Sequence, residues 1–360
     1  MIGTVLAASA ALAAPVAGLL GHRRLKQLRN AELMRIDHPG GIDEQRFVRI
    51  GGIEQWISIR GEDLANPVLL EIHGGPGSSN SFFGPRTREW EKHFTVVRWD
   101  QRGAGRTLGR SGPEGQGELS VARLQEDAVE VTEYVRTRLG VERVVLTAYS
   151  FGSVIGLRLA RRRPDLFSAY VGTDQNLHAG GRDRSAHHAL LERLRTAGRR
   201  KELAALERLG TDPRTWTTEQ YSTYARIAAM SEPHTADALK RVVMASLWFS
   251  PLHRLRDIGM LGKGMKLSAQ LLPETVGYDD WADGTVFDLP FFVFQGDHDP
   301  YTPPALAQRF VADVQAPVKD FAVIPDAGHF AAFRHPDRFL ELMLAKVRPV
   351  VADRPRVAAR

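Results

Sequence analysis

The apolar run Arg143-Val144-Val145-Leu146-Thr147-Ala148 stops at Tyr149-Ser150, and a helical pattern begins at once, from Phe151 to Arg163. A strand can pass into a helix without a loop only through a tight, strained corner. Ala148-Tyr149-Ser150-Phe151-Gly152 has small residues two before and two after the serine, where the corner presses its backbone against its surroundings. Such a corner lies at the C-terminal edge of a sheet and pushes the serine side chain out above it. A serine hydroxyl is a poor nucleophile alone. The corner carries chemistry only if the chain also supplies a base, an acid to orient the base, and donors for developing negative charge.

The rest of the chain alternates strands and helices. Arg46–Ile50 and Gln55–Arg60 form a hairpin pattern with Gly51-Gly52 at its turn. Pro67–Ile72, Phe94–Trp99, Val144–Tyr149, Ser168–Thr173, Pro290–Gln295 and Asp320–Ile324 are short strand patterns, and Leu119–Leu139 is an amphipathic helix with Leu124, Ala128, Val131, Tyr134 and Val135 on one face. This order implies an α/β fold with a mainly parallel sheet covered on both faces. Between Asn176 and about Thr285 the pattern is helical only, with Ala186–Leu209, Thr217–Met230 and Thr235–Phe249 as expected helices. The expected division is a core of residues 31–175 and 286–350, a helical cap of residues 176–285 over the strand ends, and two terminal segments, 1–30 and 351–360.

The base is sought past the last strand, where a loop residue can reach the serine, and Ile324-Pro325-Asp326-Ala327-Gly328-His329 offers His329 after a glycine turn. The acid should leave the preceding strand. Phe291-Phe292-Val293-Phe294-Gln295-Gly296 is followed by Asp297-His298-Asp299; Asp299 is the choice, and Asp297 the second candidate, its alternative role being to stabilise the turn. Negative charge would be met at His73-Gly74-Gly75-Pro76-Gly77, where glycine lets bare backbone approach a substrate. The amides of Gly75 and Phe151 are the expected donors, since Pro76 has no N–H. His73, Gly74 and Tyr149 are assigned to the substrate pocket.

With 43% hydrophobic and 25% charged residues the chain is globular, and its lack of cysteine excludes thiolate catalysis, disulfides and cysteine-held metal. The net charge of +6 comes largely from the two ends, Arg23, Arg24, Lys26 and Arg29 near one and Arg354, Arg356 and Arg360 at the other. No basic stripe interleaved with aromatics points to nucleic acid. From Met1 to Gly21 no side chain is charged, and Arg23-Arg24-Leu25-Lys26 follows. Charge after the apolar stretch suits a membrane anchor with the body on the cytoplasmic side; the alternative is a weakly structured tail.

His73-Gly74-Gly75-Pro76-Gly77, then Asp100-Gln101-Arg102-Gly103-Ala104-Gly105-Arg106, the serine corner, Gly296-x-x-Asp299 and Gly328-His329 together resemble the proline iminopeptidase group of α/β-hydrolases. The similarity runs from about Arg46 to Leu344 apart from the cap, with the five motifs in order. It implies an α/β-hydrolase fold and a serine exopeptidase that releases an N-terminal residue, often proline, with no metal and no cofactor. It also implies a structural role for the Asp100–Arg106 loop. The group's corner usually reads Gly-Gly-Ser-Trp-Gly, whereas this chain has Ala148, Tyr149 and Phe151. That change bears on the pocket wall and on proline selectivity.

The group holds the substrate's free amine with cap carboxylates; Glu192, Glu202, Glu207, Glu219 and Glu232 are present but unplaced. Three readings stay open: an aminopeptidase acting on small peptides, an esterase, lactonase or other small-molecule acyl hydrolase, and a non-catalytic binding protein. Epoxide and dehalogenating relatives place aspartate at the corner, so Ser150 argues against them.

Overall fold

In a computed structural model, the backbone of residues 2–180 and 184–351 is described, with side chains from residue 15. Eight strands form one sheet in the order β1-β2-β4-β3-β5-β6-β7-β8: β1 (Ile42–Ile50), β2 (Ile53–Gly61), β3 (Val68–Ile72), β4 (Thr95–Asp100), β5 (Val144–Tyr149), β6 (Phe167–Thr173), β7 (Phe291–Gly296) and β8 (Lys319–Ile324). β1 pairs antiparallel with β2 and β2 with β4; every later pair is parallel. This is the architecture expected from the alternation.

The pleat sorts each strand's residues between two cores. Leu70, Val97, Leu146 and Val293 join one cluster with Leu124, Val131, Val154 and Phe310 from helices Val121–Leu139, Phe151–Arg162 and Pro304–Asp313. Their strand neighbours Leu69, Val96, Val145, Phe292 and Phe294 join the other, with Phe82, Trp90, Phe339 and Met343. Both faces are covered, which is why the strands read as continuous apolar runs. The helix Val121–Leu139 begins where Ser120 accepts a hydrogen bond from the Arg123 amide and ends at left-handed Gly140.

Between β6 and β7 the described residues form helices and take part in two isolated bridges, Ala179 to Asp279 and Val286 to Gln315. The long helix expected over Ala186–Leu209 is two, Ser185–Thr196 and Arg200–Leu209, broken where Gly198 takes a φ of +65°. The one expected over Thr235–Phe249 starts earlier, at Pro233, and is distorted by a π turn at Leu239–Met244. Helix Leu255–Ser268 was hidden by Gly259, Gly262 and Gly264, which weaken its periodicity. A Cβ on Gly264 would lie 2.4 Å from the Gly77 carbonyl oxygen, and one on Gly77 would lie 2.2 Å from that of Gly264. That helix rests directly on the glycine loop after β3.

The membrane anchor expected at Met1–Gly21 is not supported. Among the described residues no helix is long and apolar enough to cross a membrane, and the side chains of residues 1–14 lie outside them. The backbone is one helix, Ile2–Leu33, and three of its polar residues bond to the rest of the protein. Arg23 and Gln27 are buried and donate to the carbonyls of Ser250 and His253, and Asn30 donates to that of Phe249. Arg23, which looked like a flanking charge, is thus a docking residue. The basic tail at 352–360 lies outside the described residues.

The contact at Gly264 predicts opposite outcomes for two alanine substitutions in one helix. Gly262→Ala, with open space around it, should stabilise the protein by about 0.5–1 kcal/mol. Gly264→Ala should destabilise it by about 1–3 kcal/mol despite the better helix former, because the methyl meets backbone. Urea denaturation of the two variants checks the contrast.

Candidate active site

Ser150 has φ 50° and ψ −124°, a conformation L-residues rarely adopt, between the last residue of β5 and the first of helix Phe151–Arg162. Its backbone is held from both sides: its amide donates to the Thr173 carbonyl at 3.2 Å, and its carbonyl accepts from the Ser153 amide at 2.8 Å. Glycine at 152 is required here, since a Cβ would lie 2.2 Å from the Ile72 carbonyl oxygen. The side chain is half-buried and faces His329, whose Nε2 lies 2.9 Å from Ser150 Oγ.

On the other side of that ring, His329 Nδ1 lies 2.8 Å from Asp299 Oδ2. A carboxylate can only accept, so in the neutral ring Nδ1 carries the proton and Nε2 is left to accept from the serine hydroxyl. Asp299 is itself fixed: Oδ1 accepts from the amides of Tyr301 and Thr302, and Oδ2 also accepts from Thr302 Oγ1 and Gln295 Nε2. Asp297 instead accepts from the amides of Asp326 and Ala327, bracing the turn that leads to His329. Ser150, Asp299 and His329 are therefore brought together, and Asp297 is not part of the line.

At the glycine loop the outcomes divide. Gly75 is exposed with φ +121°, and a Cβ there would lie 2.7 Å from the Ser78 amide. A Cβ on Gly74 would lie 2.9 Å from Ser150 Cβ and 3.5 Å from the Phe151 amide, so loop and corner are in backbone contact. The pocket roles expected for His73, Gly74 and Tyr149 need correction. His73 is buried; its Nε2 accepts from the Gln101 amide and its Nδ1 donates to the Gly74 carbonyl, tying the glycine loop to the Asp100–Arg106 loop. Gly74 is buried against the corner, and its carbonyl is occupied by His73 and the Ser78 amide. Tyr149 stacks on Phe333 at 5.0 Å in the core beneath the sheet. Phe151, too, sends its side chain into a core, so it is no pocket wall.

The same loops explain the second motif. Asp100 accepts from the Arg106 amide at 2.7 Å and from Ser79, and Arg102 forms a buried ion pair with Asp127 at 2.9 Å. Three further groups reach the site with no motif to mark them. Thr235, from the helical segment, accepts the His329 amide on its Oγ1 at 2.9 Å. Tyr301 sets its ring edge-on to the His329 ring at 4.8 Å. Asp174, at the end of β6, accepts the amides of Phe330 and Ala331, just past His329.

Residues 67–336 match the family described as alpha/beta hydrolase fold. The chain belongs to that family. This hydrolase is 24% identical over 305 residues to the "Probable aminopeptidase YbaC" of Bacillus subtilis, covering 83% of this chain and 94% of that protein. It is 36% identical over 120 residues to the "Probable proline iminopeptidase" of Streptomyces coelicolor, covering 31% of this chain and 34% of the relative. The crystal structure of a proline iminopeptidase-related protein from Thermus thermophilus superposes with a TM-score of 0.59 at 23% identity, covering 86% of this chain and 99% of that one. A thermophilic esterase from Thermogutta terrifontis superposes with a TM-score of 0.56 at 18% identity, covering 86% and 99%. The hydrolase thus falls in the proline iminopeptidase-like group.

Electrostatics at the site are set by burial and by two carboxylates. Burial opposes charging His329, but Asp299, Asp174 and the hydrogen bond to Asp299 outweigh it and raise its pKa to about 9. Burial raises Asp174 to about 6, opposed by His329. Burial lowers His73 to about 4, consistent with the neutral ring its hydrogen bonds require. Ligand atoms of Asp174, Asp299 and His329 lie within 4.8 Å of one another, near enough to hold a cation. Those of Asp299 and His329 are already hydrogen-bonded to each other. A cavity of about 510 Å³ lies beside Ser78 and Ser79, lined also by Arg106, His253 and Asp257; none of Ser150, Asp299 and His329 lines it.

His329 should titrate above 6.5, toward about 9, in a nitrogen-NMR titration of the folded protein, and Asp299→Asn should lower that value. Because the folded value lies above the unfolded one, the stability contributed by this group is complete below about pH 6.5. It is lost as pH rises through about 9. An imidazole titrating at or below 6.5 contradicts the arrangement.

Proposed function

We propose that this hydrolase works by acyl transfer through Ser150, His329 and Asp299, most plainly as an aminopeptidase that releases N-terminal residues from small peptides. The observation that carries the reading is the hydrogen-bonded line from Asp299 through His329 to Ser150, at 2.8 and 2.9 Å. His329 Nε2 takes the hydroxyl proton as Ser150 Oγ attacks the substrate carbonyl carbon. The carbonyl oxygen gains negative charge, which the amides of Gly75 and Phe151 stabilise. Asp299 holds the imidazolium in orientation; His329 then returns the proton to the leaving amine as the acyl–nitrogen bond breaks. Water, deprotonated by the same base, releases the acyl group from Ser150.

The aminopeptidase reading rests on the relatives and on one buried carboxylate. Glu232 lies beside the His329 turn: a Cβ on Gly328 would meet its Oε2 at 2.4 Å. Its oxygens also accept the amides of His234 and Thr235, so an ammonium group would share them. A second reading, hydrolysis of esters or lactones, is favoured by the other glutamates. Glu192 and Glu207 pair with Arg195, Glu202 with Arg199, and Glu219 is exposed.

Aminoacyl amides, their N-acetylated forms and short acyl esters assayed side by side separate the readings. Activity on free-amine amides that acetylation abolishes supports the first; activity confined to esters supports the second. Ser150→Ala should lower kcat by about ten-thousand-fold or more with the fold intact. Asp299→Asn should cost about a thousand-fold or more, and Asp297→Asn less than about tenfold, since Asp297 braces only a turn. Wild-type-like turnover in purified Ser150→Ala overturns the proposal.

A further inference from the structure

A second carboxylate faces the base. Asp174 follows the last residue of β6 with φ +49°, a left-handed conformation uncommon for a residue other than glycine. It is 2% exposed. Its Oδ2 accepts from the Phe330 amide at 3.0 Å, and its Oδ1 from the Ala331 amide at 3.4 Å. Phe330 is itself left-handed, at φ +72°, directly after His329. Two strained backbones are therefore tied together, one at the end of β6 and one in the turn that carries the base. Neither the relatives' names nor the five motifs call for a carboxylate at this point.

We propose that Asp174 is a positioning residue for His329: it fixes the turn that carries the ring and shares with Asp299 the positive charge that the ring takes on. The inference rests on the acyl-transfer reading given above. The groups facing His329 are few. Asp299 after β7 binds its Nδ1, and Ser150 after β5 binds its Nε2. Thr235 of helix Pro233–Ala238 accepts its amide, and the Tyr301 ring stands edge-on to it. Glu232 lies against the neighbouring Gly328, and Asp174 completes the set.

The same carboxylate that binds the two amides also lies beside the ring. It has an oxygen within 4.8 Å of the His329 and Asp299 ligand atoms, inside a buried site where charge–charge interactions are screened little. Two acids around one base divide the work. Asp299 fixes the tautomer through Nδ1, and Asp174 holds the backbone and adds field without touching the ring's proton. The charge on Asp174 is opposed by burial and supported by the two amides and by His329.

The test uses Asp174→Asn in the full chain, which keeps the shape and one oxygen acceptor but removes the charge. The titration of His329 by nitrogen NMR should move to lower pH by about one unit or more, because a negative neighbour is gone. The acidic limb of kcat/KM should move with it, and kcat should fall about tenfold or more while KM stays within about twofold. Asp174→Glu, which restores the charge, should move the titration back toward wild type. If the His329 titration stays where it is in a folded Asp174→Asn protein, the proposal is wrong, whatever happens to kcat. Should Asp174→Asn not fold, the same titration in Asp174→Ser carries the test. The NMR readout needs no turnover, so failure of the acyl-transfer reading, seen as full activity in Ser150→Ala, is a separate result.

Discussion

A Cβ on Gly152 would sit 2.2 Å from the Ile72 carbonyl oxygen, and one on Gly74 would sit 2.9 Å from Ser150 Cβ. The end of β3 and the corner after β5 therefore touch backbone to backbone. The rest of the site depends on that contact. It brings the loop after β3 against Ser150 and the Phe151 amide, and it lets the corner stay tight. The same device recurs at the far side: a Cβ on Gly296 would lie 2.5 Å from the carbonyl oxygens of Ala327 and Gly328. β7 thereby passes close under the turn that carries His329. Parallel pairing of β3 with β5, β5 with β6 and β6 with β7 brings these ends to one edge of the sheet.

Tight corners carry strain. The described non-glycine residues with positive φ are Ser150, Asp174, Asp326 and Phe330, and all four follow the C-terminal ends of β5, β6 or β8. Each such conformation costs about 1–3 kcal/mol and persists only where its surroundings over-determine it. Here the surroundings are two packed cores and a set of buried polar braces. Arg102 is one: it reaches Asp127 on helix Val121–Leu139 and the carbonyls of Gly51 and Gln116, pinning the loop after β4. Removing one partner of such a buried pair leaves an uncompensated charge, so the loop is held in a single arrangement. His73, neutral and doubly hydrogen-bonded, passes that rigidity on to the glycine loop.

What was legible in the sequence follows from these requirements. Close backbone approach demands glycine, and glycine is visible, so the loop after β3 and the corner could be read directly. Strand ends are visible in the apolar runs, which put Asp299 and His329 at one edge of the sheet. Side-chain direction could not be read in the same way. Tyr149 and His73 border the key residues in sequence, yet the pleat and the buried loop contacts turn them away from the opening. Asp174 and Thr235 leave no signal, because each serves the site by accepting backbone N–H groups from a segment 94 or more residues away. The helix Leu255–Ser268 was missed for a related reason: the glycine that lets it rest on Gly77 also weakens its apolar period.

Thr235 carries a consequence for selectivity. It belongs to the short helix Pro233–Ala238, whose N-cap is Glu232, and it accepts the amide of His329. The Tyr301 hydroxyl, beside the same ring, donates to the Ala225 carbonyl in helix Thr218–Ser231. The helical segment between β6 and β7 is thus bonded to His329 through Thr235 and to its ring neighbour Tyr301 through Ala225, and is more than a cover laid over them. A change in that segment that reshapes the space for substrate also moves the acceptors that hold His329. Binding and turnover are then coupled through backbone hydrogen bonds. The sequence of that segment says little of this, because its contribution to the His329 surroundings is one hydroxyl, one carbonyl and one helix cap.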